Sequence, residues 1–225
     1  LDGDADMDAV ASAIAHGSLM GARGNSGVIL SQVLRGLSAV FSPAGAQDPQ
    51  SGAIDGRLLA DGLAAASAAA YRAVMTPVEG TILTVVRESS EAALVAADAG
   101  ADLLGTAEAA RVAGGESLAR TPELLPVLAE AGVVDAGGSG FLLLLDAALT
   151  TIDGRPLPEP AEVKPPLLAG DRPDAHQSGA GADLGTQYEV MYFLDAPDDS
   201  VDGFKAAWAA LGDSIVVVGG DGVWN

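Results

Sequence analysis

Met20-Gly-Ala-Arg-Gly-Asn-Ser-Gly-Val-Ile-Leu-Ser-Gln32 is the stretch on which the fold turns. Gly21, Gly24 and Gly27 punctuate a loop, and a helix begins from Asn25, with Asn25 or Ser26 as its natural cap. Leu30, Leu34, Leu37 and Phe41 then recur at steps of four, three and four, one apolar helical stripe. Upstream, residues 6–19 read as a helix with Val10, Ile14 and Met7 on one face. Two helices joined by a glycine turn are the repeating theme of the first 153 residues.

Downstream, residues 42–52 form a Pro/Gly loop, and Asp55 caps a third helix to about Val74 with Leu59, Leu63, Ala66 and Ala70 inward. Pro77 breaks the chain within residues 75–80. A fourth helix spans 81–99 with Ile82, Val85, Val86 and Ala93 inward, and a fifth spans 103–118. Thr121-Pro122-Glu123 is expected to open a sixth, threonine capping and proline first in the helix, ending at Gly132. Residues 139–152 make the seventh. Loops of this length suit a helical domain. Residues 154–184 read as a linker, with six prolines between 153 and 183. The period then changes. Residues 188–194 alternate as a strand, 199–211 form a helix with Phe204, Trp208 and Leu211 inward, and 215–218 make a short buried strand. Gly219–Gly222 reads as a hairpin turn and Val223 starts another strand. The expectation is a mainly α chain: a helical domain over 1–153, the linker, and a partial α/β unit over 185–225.

Composition excludes several function classes. The net charge is −20, which repels nucleic acid and anionic membranes. No apolar run reaches the ~20 residues of a membrane span, and the chain reads as cytoplasmic. Cysteine is absent, so disulfides and thiolate chemistry are excluded from it. His16 and His176 have neither triad nor zinc spacing around them. The two lysines are Lys164 and Lys205, so the first 163 residues contain no P-loop lysine. Any phosphate held there must use backbone N–H groups, a helix N-terminus, hydroxyls, a metal or arginine.

Three segments could do so. Gly21–Gly27 lets the backbone approach an anion, with Arg23 and Ser26 beside a helix start. On residue chemistry alone it reads equally as a glycine turn between packed helices. Thr81 either caps its helix or touches a phosphate. Asp135, before Ala136, Gly137 and Gly138, either caps a helix or bonds a ribose hydroxyl. Asp2-Gly3-Asp4 starts like a calcium loop but lacks its later ligands.

The three strings Met20–Gln32, Pro77–Val85 and Thr121–Gly138, taken in order, resemble the kinase component of bacterial fatty-acid kinases, whose N-terminal domain is of the dihydroxyacetone kinase nucleotide-binding (DhaL) type. The resemblance covers about residues 7–152. It implies an antiparallel helical barrel that binds ATP or ADP with Mg2+ at one end. It further implies a DegV-like fatty-acid-binding partner and transfer of the γ-phosphoryl to the acyl carboxylate. Carried onto this chain, Gly24, Asn25, Ser26 and Gly27 contact phosphates, Thr81 and Ile82 line the nucleotide pocket, and Asp135, Ala136 and Gly137 form the turn near the nucleoside. Residues 188–193 and 212–218 resemble the start of the family's middle domain.

Two departures limit the match. The family's Asp-Gly-Asp-Thr-Gly-Thr-Asn magnesium motif is copied only in the three letters Asp2-Gly3-Asp4, about 18 residues before Gly21, roughly half the family's spacing. The metal ligands are therefore expected upstream of Leu1, and residues 1–225 alone are expected not to turn over. Glu189 stands where the middle domain carries a cysteine, and the His-x-His pair is not within the sequence. A dihydroxyacetone-type small-molecule kinase and a non-catalytic nucleotide-binding scaffold are the alternatives. The sequence leaves the oligomeric state open, a homodimer included.

Overall fold

The computed structural model describes residues 7–42, 54–159, 190, 192–211, 215–220 and 223–224. Asp2–Asp4, the loop over 43–53, the linker from 160, Tyr188, Glu189 and residues 212–214 and 221–222 lie outside the described residues. The chain is mainly helical: α1 (Met7–Gly21), α2 (Gly24–Phe41), α3 (Gly56–Ala73), α4 (Ile82–Asp98), α5 (Leu103–Leu124), α6 (Pro126–Ala131) and α7 (Ala136–Asp153), then α8 (Val201–Trp208).

Side-chain caps set four of the starts. The Asp55 carboxylate accepts from Leu58 N, Thr81 Oγ1 from Leu83 N, Asp102 from Gly105 N and Asp135 from Gly138 N. Each satisfies an N–H that has no partner within its own helix. Gly132 (φ 66°) and Gly154 (φ 78°) close α6 and α7 in the left-handed conformation.

Cross-helix contacts fix an up-and-down order. Gly36 lies against Ala66 and Gly62 against Phe41, so α2 and α3 run antiparallel. Arg57 pairs with Asp98 at one end of α3–α4, and Tyr71 meets Arg87 at the other. Arg120 reaches Glu88 between α5 and α4, and Arg111 reaches Asp146 between α5 and α7. Contact of α7 with α2 closes the ring. The core within it is aliphatic and small: Val33, Leu63, Ala66, Ala70, Val85, Val86 and Phe141 are all at most 1% exposed. Alanine and glycine at these positions let the helix axes approach closely. A Cβ on Gly36 would stand 2.5 Å from Ala66 Cα.

Several expectations are corrected. Neither Asn25 nor Ser26 caps α2; the cap position is Arg23 and the helix starts at Gly24, whose φ of 64° lets the chain turn there. The stripe Leu30, Leu37 and Phe41 flanks the core, whereas Ile29, Val33 and Gly36 form the buried centre of α2. On α1, Ala11 is buried, but Met7 and Ile14 are exposed. Helix α5 does not stop before Thr121: it runs through Pro122 to Leu124, and the break falls at Leu125 with Pro126 opening α6. Pro122 is accommodated in the last turn because Thr121 Oγ1, rather than capping a new helix, donates back to Leu118 O at 2.8 Å. Helix α7 begins three residues before Ser139, at Ala136.

Beyond residue 190 the strands are short. β1 (Leu194–Asp195), β2 (Gly219–Gly220) and β3 (Val223–Trp224) form an antiparallel sheet in the order β1-β3-β2. β2 and β3 pair antiparallel, but Gly219 and Gly220, expected in the turn, are the first strand of that pair. The strand expected from 188 is limited to β1 among the described residues, and Leu211, expected inward, is 75% exposed. Residues 215–218 do not pair within that sheet. They bridge Val74 through Val216, and Ile215 O accepts from Met75 N at 3.2 Å.

Candidate functional site

The antiparallel order brings the N-termini of α2, α4 and α7 to one end of the ring. These are the helix starts that carry Gly24–Gly27, Thr81–Ile82 and Asp135–Gly137. The second and third sit together. Gly137 lies on Ile82, where a Cβ would stand 3.2 Å from Ile82 Cβ. Thr121, fully buried, accepts from Asp135 N at 3.1 Å and ties the end of α5 to the start of α7. Gly80 (φ 82°) lies against Leu124 and Leu125.

The three starts differ in how their first-turn N–H groups are satisfied. At α4 and α7 an acceptor side chain, Thr81 or Asp135, already closes the turn. At α2 the cap residue is Arg23, a donor with no acceptor atom, and it makes no side-chain cap bond. Its guanidinium folds back instead, donating from Nη1 to Ala22 O at 2.6 Å, at the negative end of α1. The α2 start therefore combines a positive helix end, an arginine and the exposed residues Asn25 and Ser26. That combination attracts an anion, which the other two starts, capped by their own side chains, attract less.

Exposure separates the remaining candidates. Ala136 is exposed, and Thr81, Asp135, Gly24, Gly27 and Gly137 are half-buried. Ile82 is 3% exposed and belongs to the core cluster, so it supports the floor beneath Gly137 rather than presenting a free face.

A polar network beside Thr81 is not predicted by the sequence reading. Thr84 Oγ1 donates to Glu79 Oε2 at 2.7 Å and accepts from Gly80 N at 2.8 Å. Tyr71 donates to Glu79 Oε1 at 3.0 Å, and Arg87 reaches Glu79 Oε2 at 3.2 Å. Burial acts to raise the Glu79 pKa, but the bonds from Thr84, Tyr71 and Arg87 outweigh it and hold the carboxyl below its ordinary value. Spacing hides this group: Tyr71, on α3, is eight residues from Glu79, which lies in the loop before α4. Magnesium is a separate matter. Among the described residues no three acidic or histidine side chains stand together as ligands. They do not supply a metal cradle.

The end that carries the α2 start is also braced from outside the ring. Ala22, Val28, Ala73 and Val218 form a second small core, joined by Leu19 and Val216. Among the described residues no helix is long and apolar enough to cross a membrane.

A model of the DAK2 domain matches residues 2–150. Protein YloV of Bacillus subtilis (strain 168) is 38% identical over 221 residues, 95% of this chain and 38% of its own length. An uncharacterized protein of Staphylococcus aureus (strain USA300) is 37% identical over 207 residues, 90% of this chain and 36% of its own. The chain thus spans under two-fifths of the curated relatives it matches.

Proposed function

The chain belongs to the DAK2 domain family, a kinase-related family whose domains bind ADP or ATP, and from that premise we propose that it is the nucleotide-binding part of a fatty-acid kinase. The observation that carries this reading is that the α2 start, with Arg23, has no side-chain cap, whereas the α4 and α7 starts at the same end of the ring do. In this reading the triphosphate lies against the first turn of α2, with Gly24, Asn25, Ser26 and Gly27 around it. Backbone N–H groups and the dipole of α2 offset its charge. Thr81 and Ile82 form the floor, and Asp135, Ala136 and Gly137 face the nucleoside.

The reaction proposed is attack of an acyl carboxylate oxygen on the γ-phosphorus, with ADP leaving and an acyl phosphate formed. Such transfers depend mainly on positioning and charge neutralisation. A DegV-like partner presents the fatty acid. Magnesium supplies charge neutralisation when bound, through an aspartate motif proposed to precede Leu1.

The test uses the full-length protein, magnesium-ATP and a fatty-acid-loaded DegV-like partner, with hydroxylamine to trap acyl phosphate as the hydroxamate. Hydroxamate that requires the partner is the expected result. A stable phosphate ester of dihydroxyacetone, formed without any partner, would replace this reading with a small-molecule kinase. Nucleotide binding with neither product would replace it with a scaffold.

A further inference from the structure

The sequence carries 31 acidic residues against 11 basic ones, so an arginine without a carboxylate partner is unexpected. Arg57, Arg87, Arg111, Arg120 and Arg155 each hold at least one. Arg23, Arg35 and Arg72 hold none among the described residues, and the last two line one cavity of about 550 Å³ between α2, α3 and the residues around β2 and β3.

The cavity is built for a particular chemistry. Among the described residues no acidic side chain lines it. Arg35 Nη1 donates to Gly219 O at 3.1 Å, which holds that guanidinium at the wall. Gln32, a polar side chain only 6% exposed, lines the same space. The rest of the described lining is alanine and glycine, with Val217, Val218 and the Trp224 indole. Trp224 Nε1 is engaged by Ala196 O at 3.3 Å, so the indole is fixed. Guanidinium forks match carboxylate and phosphate oxygens. The small residues and the fixed indole suit an apolar or aromatic body.

We propose that this cavity is a binding site for a small organic oxyanion, a phosphate or carboxylate head on an apolar or aromatic body, separate from the α2 phosphate loop. Arg35 and Arg72 hold the head, and Trp224 packs on the body. The site does not depend on the kinase reading, because none of its residues belongs to the three helix starts.

Titration calorimetry of the full-length protein tests it, with phenyl phosphate, hexanoate and inorganic phosphate as probes and saturating ADP present to fill the nucleotide site. Phenyl phosphate or hexanoate is expected to bind, and inorganic phosphate more weakly for want of a body. Arg72→Gln breaks no bond among the described residues, so its fold is retained; it should weaken the organic probes about tenfold, a charge-assisted hydrogen bond's worth. Arg35→Gln should do the same. Absence of binding under ADP, or equal affinity in Arg72→Gln, would overturn the proposal.

Discussion

Asp135 donates its backbone N–H to the hydroxyl of Thr121 at 3.1 Å, and that hydroxyl in turn donates to Leu118 O at 2.8 Å. One fully buried side chain thereby fixes where α7 starts relative to the end of α5. Replacing it by the isosteric valine would keep the packing but leave the Asp135 N–H unpaired. Thr121→Val should cost about 1–3 kcal/mol, read by chemical denaturation. Thr121→Ser should be nearer to wild type. Equal stability of Thr121→Val and wild type would mean the bond holds nothing.

Two glycines on neighbouring helices should respond with opposite signs. Gly36 faces the backbone of α3, and a Cβ would stand 2.5 Å from Ala66 Cα and 2.7 Å from Ala65 O, atoms that cannot rotate away. Gly36→Ala should destabilise by about 1–3 kcal/mol through overpacking. Gly17 lies inside α1, and a Cβ added there would meet no atom within 4 Å. Gly17→Ala should stabilise by about 0.5–1 kcal/mol through helix propensity. Thermal unfolding of the two variants checks the pair, and a shift of the same sign in both would contradict the packing described for α2 and α3.

The Glu79 network sets a pH dependence. Its folded pKa lies below the ordinary value of 4.5, so its contribution is fully present above 4.5 and is lost as pH falls through the lower, folded value. Stability of the wild type should therefore fall more steeply with acid below 4.5 than that of Glu79→Gln. Parallel denaturation curves for the two proteins across that range would show that Glu79 is not held ionised by Thr84, Tyr71 and Arg87.

Much of the ring was legible because its helix starts are written locally. Asp55, Thr81 and Asp135 are short acceptors just before apolar periods, and each is a cap in the structure. The buried sets Leu59–Ala70 and Ile82–Ala93 follow from the same period. What failed depends on tertiary contact. Thr121-Pro122 has the letters of a helix start, but Thr121 is consumed by Leu118 and Asp135, which no local pattern reveals. Arg23 is an improbable cap by propensity and occupies that position because Gly24 supplies the left-handed turn. Packing of Val216 and Val218 on Ala22, Val28 and Ala73 joins residues nearly two hundred positions apart, beyond the reach of periodicity.

The central claim is that the α2 start, with Arg23 and Ser26, holds the phosphates of a nucleotide. Thermal unfolding of the full-length protein with and without magnesium-ATP, repeated on Ser26→Ala, tests it most directly. Ser26 is exposed, so the variant should unfold like wild type without ligand. With ATP at about 100 times its dissociation constant the wild type should gain about 2.7 kcal/mol, seen as a higher Tm, and Ser26→Ala should gain clearly less at the same concentration. An unchanged Tm in both proteins, or an equal rise in both, would contradict the account.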